Sequence, residues 1–383
     1  MKQMKKEHLN IAMFGQKGCN RSGGIEVVVT ELTIRMADLG HHVVCYNRSS
    51  ALLPLTKKRN ILFGREKAEE RLVPTVNRKG LAAVTSSFFA ALAAGVGPYD
   101  IVHVHAEGPA VMCWLPRLLG KKVICTIHGL DYDREKWKGI AKIYIRLGEL
   151  CAVKFSNAII VLSKNNHRYF LKRYGKKTVY IPNGTSCPVI KEAKVIQERF
   201  HLEKDSYILF LARIVPEKGL RYLIKAYKKL ETNKKLVIAG DSSDTEDFKK
   251  ELEKMAQGDP RILFTGFVQG EVLEELFSNA YIFVLPSDLE GMSLSLLEAM
   301  SYGNCCLTSD IPECTEVIED HALTFRKSDV EDLREKLQRL CDDPELVLKF
   351  REGTSDYICK KYNWDDVTVR TLSLYRKVLK AGR

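Results

Sequence analysis

Short apolar runs alternate with amphipathic stretches through most of this chain, and the alternation restarts once, near residue 186. Leu9 to Phe14 reads as a strand, Ile25 to Leu39 as a helix with apolar positions at Val28, Leu32, Ile34, Met36 and Leu39, and Val43 to Tyr46 as the next strand. Tyr207 to Leu211, Leu220 to Leu230 and Lys235 to Ala239 repeat that order in the second half. A strand–helix–strand order calls for parallel pairing, because the crossover helix returns the chain to the end of the sheet it left. The expected fold class is therefore α/β, with two doubly wound sheets covering residues 1–186 and 187–363. The turn Pro182-Asn183-Gly184 joins them, and a final amphipathic helix at about 364–383 is free to pack back on the first domain. A length of 383 residues suffices for two sizeable cores.

Between these landmarks the chain reads less regularly. Residues 55–80 are expected to be an irregular basic loop, with Lys57, Lys58, Arg59, Arg65, Lys67, Arg71, Arg78 and Lys79. Val111 to Leu119 reads as a helix, Ile311-Pro312-Glu313 as a loop, and Glu345 to Tyr362 as helix. Tyr99 to His105 is a strand with His103 and His105 on one face.

Charge is uneven. Residues 1–186 carry 30 Lys and Arg against 13 Asp and Glu, a net of +17, while residues 187–383 carry 30 against 35, a net of −5. That asymmetry points the first half towards an anionic partner: a membrane surface, a phosphorylated substrate or nucleic acid. Nucleic acid is disfavoured, since aromatic residues do not interleave the basic runs. The eleven cysteines include no C-x-x-C pair, and no secretory leader precedes them, so they read as reduced thiols of a cytosolic protein. No run approaches the ~18 apolar residues of a membrane span, so any membrane contact is expected to be peripheral.

Open α/β sheets bind ligands beyond the carboxyl ends of their strands. Four stretches sit there. Gly23-Gly24 lies between the first strand and first helix, where glycine lets backbone approach a ligand or simply makes a turn. It is not G-x-G-x-x-G, so a dinucleotide fingerprint is absent. His128-Gly129 ends a strand and leads into Asp131, Asp133, Arg134 and Lys136. The two aspartates suggest a metal-bound diphosphate, but the neighbouring cations supply counter-charge without a metal. Arg213, Glu217 and Lys218 follow the strand that opens the second half, either as fixed cations or as a surface ion pair with Glu217. Finally, Tyr281 to Leu285 runs into Pro286-Ser-Asp-Leu-Glu290-Gly291-Met-Ser293-Leu294, with Ser293 or Ser295 as N-cap and Glu298 one turn on. A helix start suits phosphate, while carboxylates suit hydroxyls, so this stretch reads as a site for a nucleotide-sugar.

These features, in this order, resemble family 4 glycosyltransferases: Gly23-Gly24, His128-Gly129, Ile181-Pro-Asn-Gly184, Arg213 with Glu217-Lys218-Gly219, Gly240-Asp241, Gly266 and Glu290-x7-Glu298. The first half is similar to the rhamnosyltransferase-type subgroup of bacterial polysaccharide synthesis, except that Cys19 and Ser22 stand where that subgroup carries Pro and a bulkier residue. The resemblance implies the GT-B architecture, two Rossmann-like domains facing across a cleft, an acceptor-binding one and a nucleotide-sugar-binding one. It implies a retaining transfer of rhamnose or another hexose to a lipid-linked or oligosaccharide acceptor, with no metal or other cofactor. Catalytic roles fall on His128, Glu290, Arg213 and Lys218. Donor binding falls on Gly23, Gly24, Arg213, Lys218, Gly291, Ser293, Leu294 and Glu298, and acceptor binding on Asp131, Arg134 and Lys136. A cytoplasmic enzyme, peripheral on an anionic inner membrane face, follows from the same resemblance. A hydrolase with Glu290 and Glu298 as its pair is disfavoured, because both are expected to stay ionised and solvated beside basic residues. A sugar-nucleotide epimerase on the same fold would need further acid and base residues, and a phosphorylase a lysine-bound cofactor and a longer chain.

Overall fold

A computed structural model of the chain describes residues 8–19, 23–49, 60–78, 80–130, 139–242 and 245–381. Its contacts divide the chain into two compact units, Met1–Asn183 with Trp364–Arg383, and Gly184–Asn363. The division falls inside the Pro182-Asn183-Gly184 turn rather than at 186, and the last helix, Trp364–Ala381, belongs to the first unit.

In the first unit the strands are β1 (Asn10–Phe14), β2 (His42–Arg48), β3 (Asn60–Leu62), β4 (Arg65–Val73), β5 (Ile101–His105), β6 (Lys122–Ile127), β7 (Ala158–Val161) and β8 (Val179–Tyr180). They lie in the order β3-β4-β2-β1-β5-β6-β7-β8. All neighbours are parallel except β3 and β4. The central strands are apolar on both faces because helices cover both; Ile11, Ala12, Met13, Phe14, Val102 and Val104 are all fully buried. In the second unit β9 (Tyr207–Leu211), β10 (Lys235–Ala239), β11 (Ile262–Gly266), β12 (Ile282–Leu285), β13 (Cys306–Ser309) and β14 (Leu323–Phe325) form a parallel sheet in the order β11-β10-β9-β12-β13-β14. Each sheet has one switch point, where the chain turns back from an outward run of strands: between β1 and β5, and between β9 and β12. Loops after those strands diverge and leave a crevice at their carboxyl ends.

Several expectations are corrected. Of the irregular loop 55–80, residues 60–73 form β3 and β4, a hairpin at the sheet edge. Phe63 and Gly64 both have positive φ, 55° and 70°, which matches the twist of a two-residue hairpin turn. Charges in β4 are absorbed locally: buried Glu69 meets His42 and Arg71, and Arg65 pairs with Asp38. Lys57, Lys58, Arg59 and Lys79 lie outside the described residues. Pro312 does not sit in a loop but opens the helix Pro312–Ile318, at a position where its missing N–H costs nothing. The stretch 345–362 breaks at Glu352-Gly353 into helices Pro344–Arg351 and Thr354–Lys361. Val111 to Leu119 is a one-turn 3-10 segment followed by Trp114–Leu118. The helix Val195–Phe200 and strand β14 have no counterpart in the sequence reading. All eleven cysteines are free thiols. Among the described residues, no helix is long and apolar enough to cross a membrane.

Candidate functional site

In the second unit, β9 and β12 are neighbours, so the loops that follow them must leave the sheet side by side. Gly219 makes their contact possible. Its φ is 69°, and a Cβ there would stand 1.8 Å from the Pro286 carbonyl oxygen, so only glycine fits. The Asp288 N–H then donates to the Glu217 carbonyl (2.9 Å), and Tyr222 Oη donates to Asp288 Oδ2 (2.9 Å). Ser328 Oγ donates to the other Asp288 oxygen (2.7 Å), so that carboxylate serves as a brace.

This junction brings Lys218 to Glu290. Lys218 Nζ donates to Glu290 Oε1 at 2.5 Å, and Ser287 Oγ donates to the same oxygen at 2.6 Å. The pair is largely withdrawn from water, with side chains 13% and 8% exposed. Two expectations change here. Lys218 forms its ion pair with Glu290, not Glu217, which is buried and holds the loop through its carbonyl. Glu290 is desolvated, whereas the sequence suggested a solvated carboxylate. Arg213, at the end of β9, is exposed.

Beyond Gly291 the helix Leu294–Ser301 begins. Ser293, rather than Ser295, is its N-cap, its hydroxyl accepting from the Leu296 N–H at 3.4 Å. No acidic residue occupies its first turn, so the positive end of the helix is not compensated from within. Glu298 lies in its second turn, partly exposed. One short surface therefore combines a buried cation–carboxylate pair, an exposed arginine, a helix start and a second carboxylate.

In the first unit the corresponding helix, Gly24–Asp38, is built differently. Gly23 is its N-cap in extended backbone, and Glu26 in the first turn accepts from the Lys17 N–H (2.9 Å). A carboxylate thus already sits at the positive end of that helix and fastens the glycine loop to it. Residues 20–22 of the loop are outside the described residues.

His128 ends β6 next to an array that the sequence only hinted at. His105 Nδ1 lies 3.1 Å from His128 Nε2, and the His103 and His105 rings lie tilted at 35° with centroids 4.1 Å apart. His103 is held by Tyr375 Oη at Nδ1 (2.5 Å) and Thr126 Oγ1 at Nε2 (2.7 Å). Burial drives the His103 pKa down to about 3 and that of His105 well below its ordinary range, with neighbouring histidines adding to both effects. Both rings are neutral. His105 Nε2 has no hydrogen-bond partner among the described residues. A bare lone pair costs less than an orphaned N–H, so the His105 proton sits on Nδ1 and is donated to His128. His128 Nε2 is the other partner of that bond. Asp131, Asp133, Arg134 and Lys136 lie outside the described residues. Of the residues that sequence reasoning missed, His105 carried a signal, the His-x-His alternation; Tyr375, from the far end of the chain, carried none.

Residues 22–187 match the family model described as Glycosyltransferase Family 4, and residues 192–356 match Glycosyl transferases group 1. Each match covers one strand–helix pattern, and together they span most of the chain. The chain belongs to glycosyltransferase family 4. This family 4 glycosyltransferase is 25% identical over 302 residues to an alpha-D-kanosaminyltransferase of Streptomyces kanamyceticus, covering 72% of this chain and 77% of that relative. It is 28% identical over 265 residues to the UDP-Gal:alpha-D-GlcNAc-diphosphoundecaprenol alpha-1,3-galactosyltransferase of Escherichia coli, covering 65% and 68% respectively. Its fold is GT-B. Sucrose-phosphate synthase from Thermosynechococcus elongatus superposes with a TM-score of 0.83 over 97% of this chain and all of that one, at 20% identity. The Anabaena protein HepE, solved with UDP and glucose, superposes at 0.79 over 96% and 99%, at 15% identity.

Proposed function

We propose that this glycosyltransferase moves a hexose from a nucleoside diphosphate sugar to a lipid-linked or oligosaccharide acceptor in surface polysaccharide synthesis, with retention at the anomeric carbon. The observation that carries the donor half is the junction at the β9–β12 switch point, where Lys218, Glu290, Arg213 and the Ser293-capped helix start share one surface. Arg213 and the N–H groups of Ser293 and Leu294 receive the diphosphate, and Gly291 keeps the approach open. Lys218 exchanges Glu290 for a phosphate oxygen, which frees Glu290 to accept from hydroxyls of the transferred sugar. Glu298 accepts from the ribose hydroxyls. As the bond from the anomeric carbon to the phosphate oxygen breaks, its electron pair stays on that oxygen, where Lys218 and Arg213 stabilise the charge. The acceptor oxygen bonds to the same face, and its proton passes to the leaving phosphate.

Among first-unit residues, Gly23, Gly24 and His128 are assigned to donor recognition, and Asp131, Arg134 and Lys136 to the acceptor. The reaction needs no metal. The acceptor class is supported by the relatives, whose names include a diphosphoundecaprenol galactosyltransferase and an O-antigen chain mannosyltransferase. A lipid-linked acceptor, in turn, places the enzyme on the cytoplasmic face of an anionic membrane.

A thermal-shift screen against UDP-, dTDP- and GDP-sugars, dTDP-rhamnose among them, tests the donor reading. One nucleotide should raise the melting temperature, and Glu298→Ala should weaken its binding in calorimetry while EDTA leaves transfer intact. Unchanged affinity in the Glu298 variant would remove the ribose role, and loss of activity on chelation would bring Asp131 and Asp133 back as metal ligands.

A further inference from the structure

The helix Ile140–Phe155 turns one face to its own unit and leaves the opposite face bare. Its inner face buries Ile145, Gly148, Cys151 and Ala152. On the outer face Ile140 and Ile143 are 86% and 68% exposed, and Leu147 and Leu150 are about half exposed. Positions 140, 143, 147 and 150 share one side of a helix and make an aliphatic stripe about 15 Å long. The helix Trp114–Leu118 packs beside it and ends in Leu118, 72% exposed, and the exposed Leu119. Single exposed aliphatics are ordinary on soluble proteins; an aligned row is not. The charged residues of this helix are Lys142, Arg146, Lys154 and one acid, Glu149, which is fully buried. On this helix the exposed charged side chains, Arg146 and Lys154, are both positive.

We infer that this face docks on an anionic lipid surface, with the helix lying in the headgroup plane and Ile140, Ile143, Leu147 and Leu150 entering the acyl boundary. The inference deepens the proposal of a lipid-linked acceptor and rests on it for the source of the surface. A second copy of the chain is a poorer occupant: the stripe spans two heptads, short of the three or four a coiled coil needs, and pairing would bring like charges together. A protein partner is also poorer, since the exposed stripe holds no aromatic anchor. In the basic run 55–80, by contrast, Arg65, Lys67 and Arg71 are engaged with Asp38, the Gly40 carbonyl and Glu69.

Co-sedimentation of the full chain with vesicles tests this. Vesicles of phosphatidylcholine mixed with phosphatidylglycerol should pellet the protein, and phosphatidylcholine alone should pellet it far less. The double variant Ile143→Asp with Leu147→Asp should bind at least about tenfold more weakly, and Lys154→Gln about fivefold. Both sites are exposed, so melting temperature and donor binding without lipid should match the wild type. Failure of the wild type to bind anionic vesicles overturns the inference, as does equal binding by the double variant. A wild-type dimer that Ile143→Asp splits into monomers overturns it in favour of a second copy. Vesicle binding without any transfer to lipid-linked acceptors sinks the acceptor proposal and supports the docking face.

Discussion

Lys218 and Glu290 stand 72 positions apart, and their pairing depends on two strands being neighbours. Both residues are legible in the sequence as candidate site residues, because each follows an apolar strand and sits beside turn-forming residues. Their contact was not legible: sequence spacing says nothing about which strand lies next to which. The burial of Glu290 was missed for the same reason, since its cover comes from the other loop. Lys218→Ala should remove a leaving-group cation and lower turnover by about 10²–10³-fold. It should also destabilise the second unit by about 3–5 kcal/mol, because a buried carboxylate loses its counter-charge. Lys218→Met combined with Glu290→Gln separates the two effects. Thermal melts should recover most of the lost stability, while rates fall at least as low as in the single variant; recovered turnover would remove both Lys218 and Glu290 from the reaction.

Most strands and helices could be read from periodicity, and the misreadings share a cause. Arg65–Val73 lies next to the sheet edge, between β3 and β2, and its charges are matched by neighbours from other elements, so its sequence shows no alternation. Pro312 reads as a loop marker in the sequence, but a helix start tolerates it. The helix Trp364–Ala381 was readable as a helix, but its partners were not. It is tied to the first unit by Arg35 to Asp365 (2.8 Å), by Arg370 to the Tyr180 carbonyl (2.5 Å) and by Tyr375 to His103. Tyr375→Phe keeps the packing and deletes the hydroxyl, leaving His103 Nδ1 buried without that partner. The expected loss is about 1–3 kcal/mol of first-unit stability, read in a denaturant titration. A cost near zero would mean that the helix is held by apolar packing alone.

Across the whole molecule, the two units should respond differently to acid. His41 and His103, held by burial at about 4 and about 3, and His105, also held low, all lie in the first unit. Unfolded, each takes a proton near 6.5. Their stability contribution is therefore intact above that pH and falls as pH drops towards the folded values, by about 1.4 kcal/mol per pH unit for each group. Glu149, raised by burial, opposes this with one group. In the second unit the resolved carboxylate shifts, at Asp241, Glu251, Asp259, Asp329 and Glu331, are downward, so their contribution is lost only below the ordinary carboxylate range. Scanning calorimetry at pH 7 and pH 5 should show the first unit's transition falling and the second's nearly fixed; a parallel fall would contradict the assignment. Unit membership of the last helix has a further consequence, for synthesis. The chain leaves the first unit after Asn183 and re-enters it at Trp364, whereas the second unit is one unbroken stretch. On the ribosome the usual order is reversed: the later unit can close while the earlier one still waits, for roughly 10–40 s at ordinary elongation rates, for the helix that completes it. During that interval the surface that Tyr375 and Leu372 will cover is open, and the nascent first unit is a client for chaperones until its own carboxyl-terminal helix arrives.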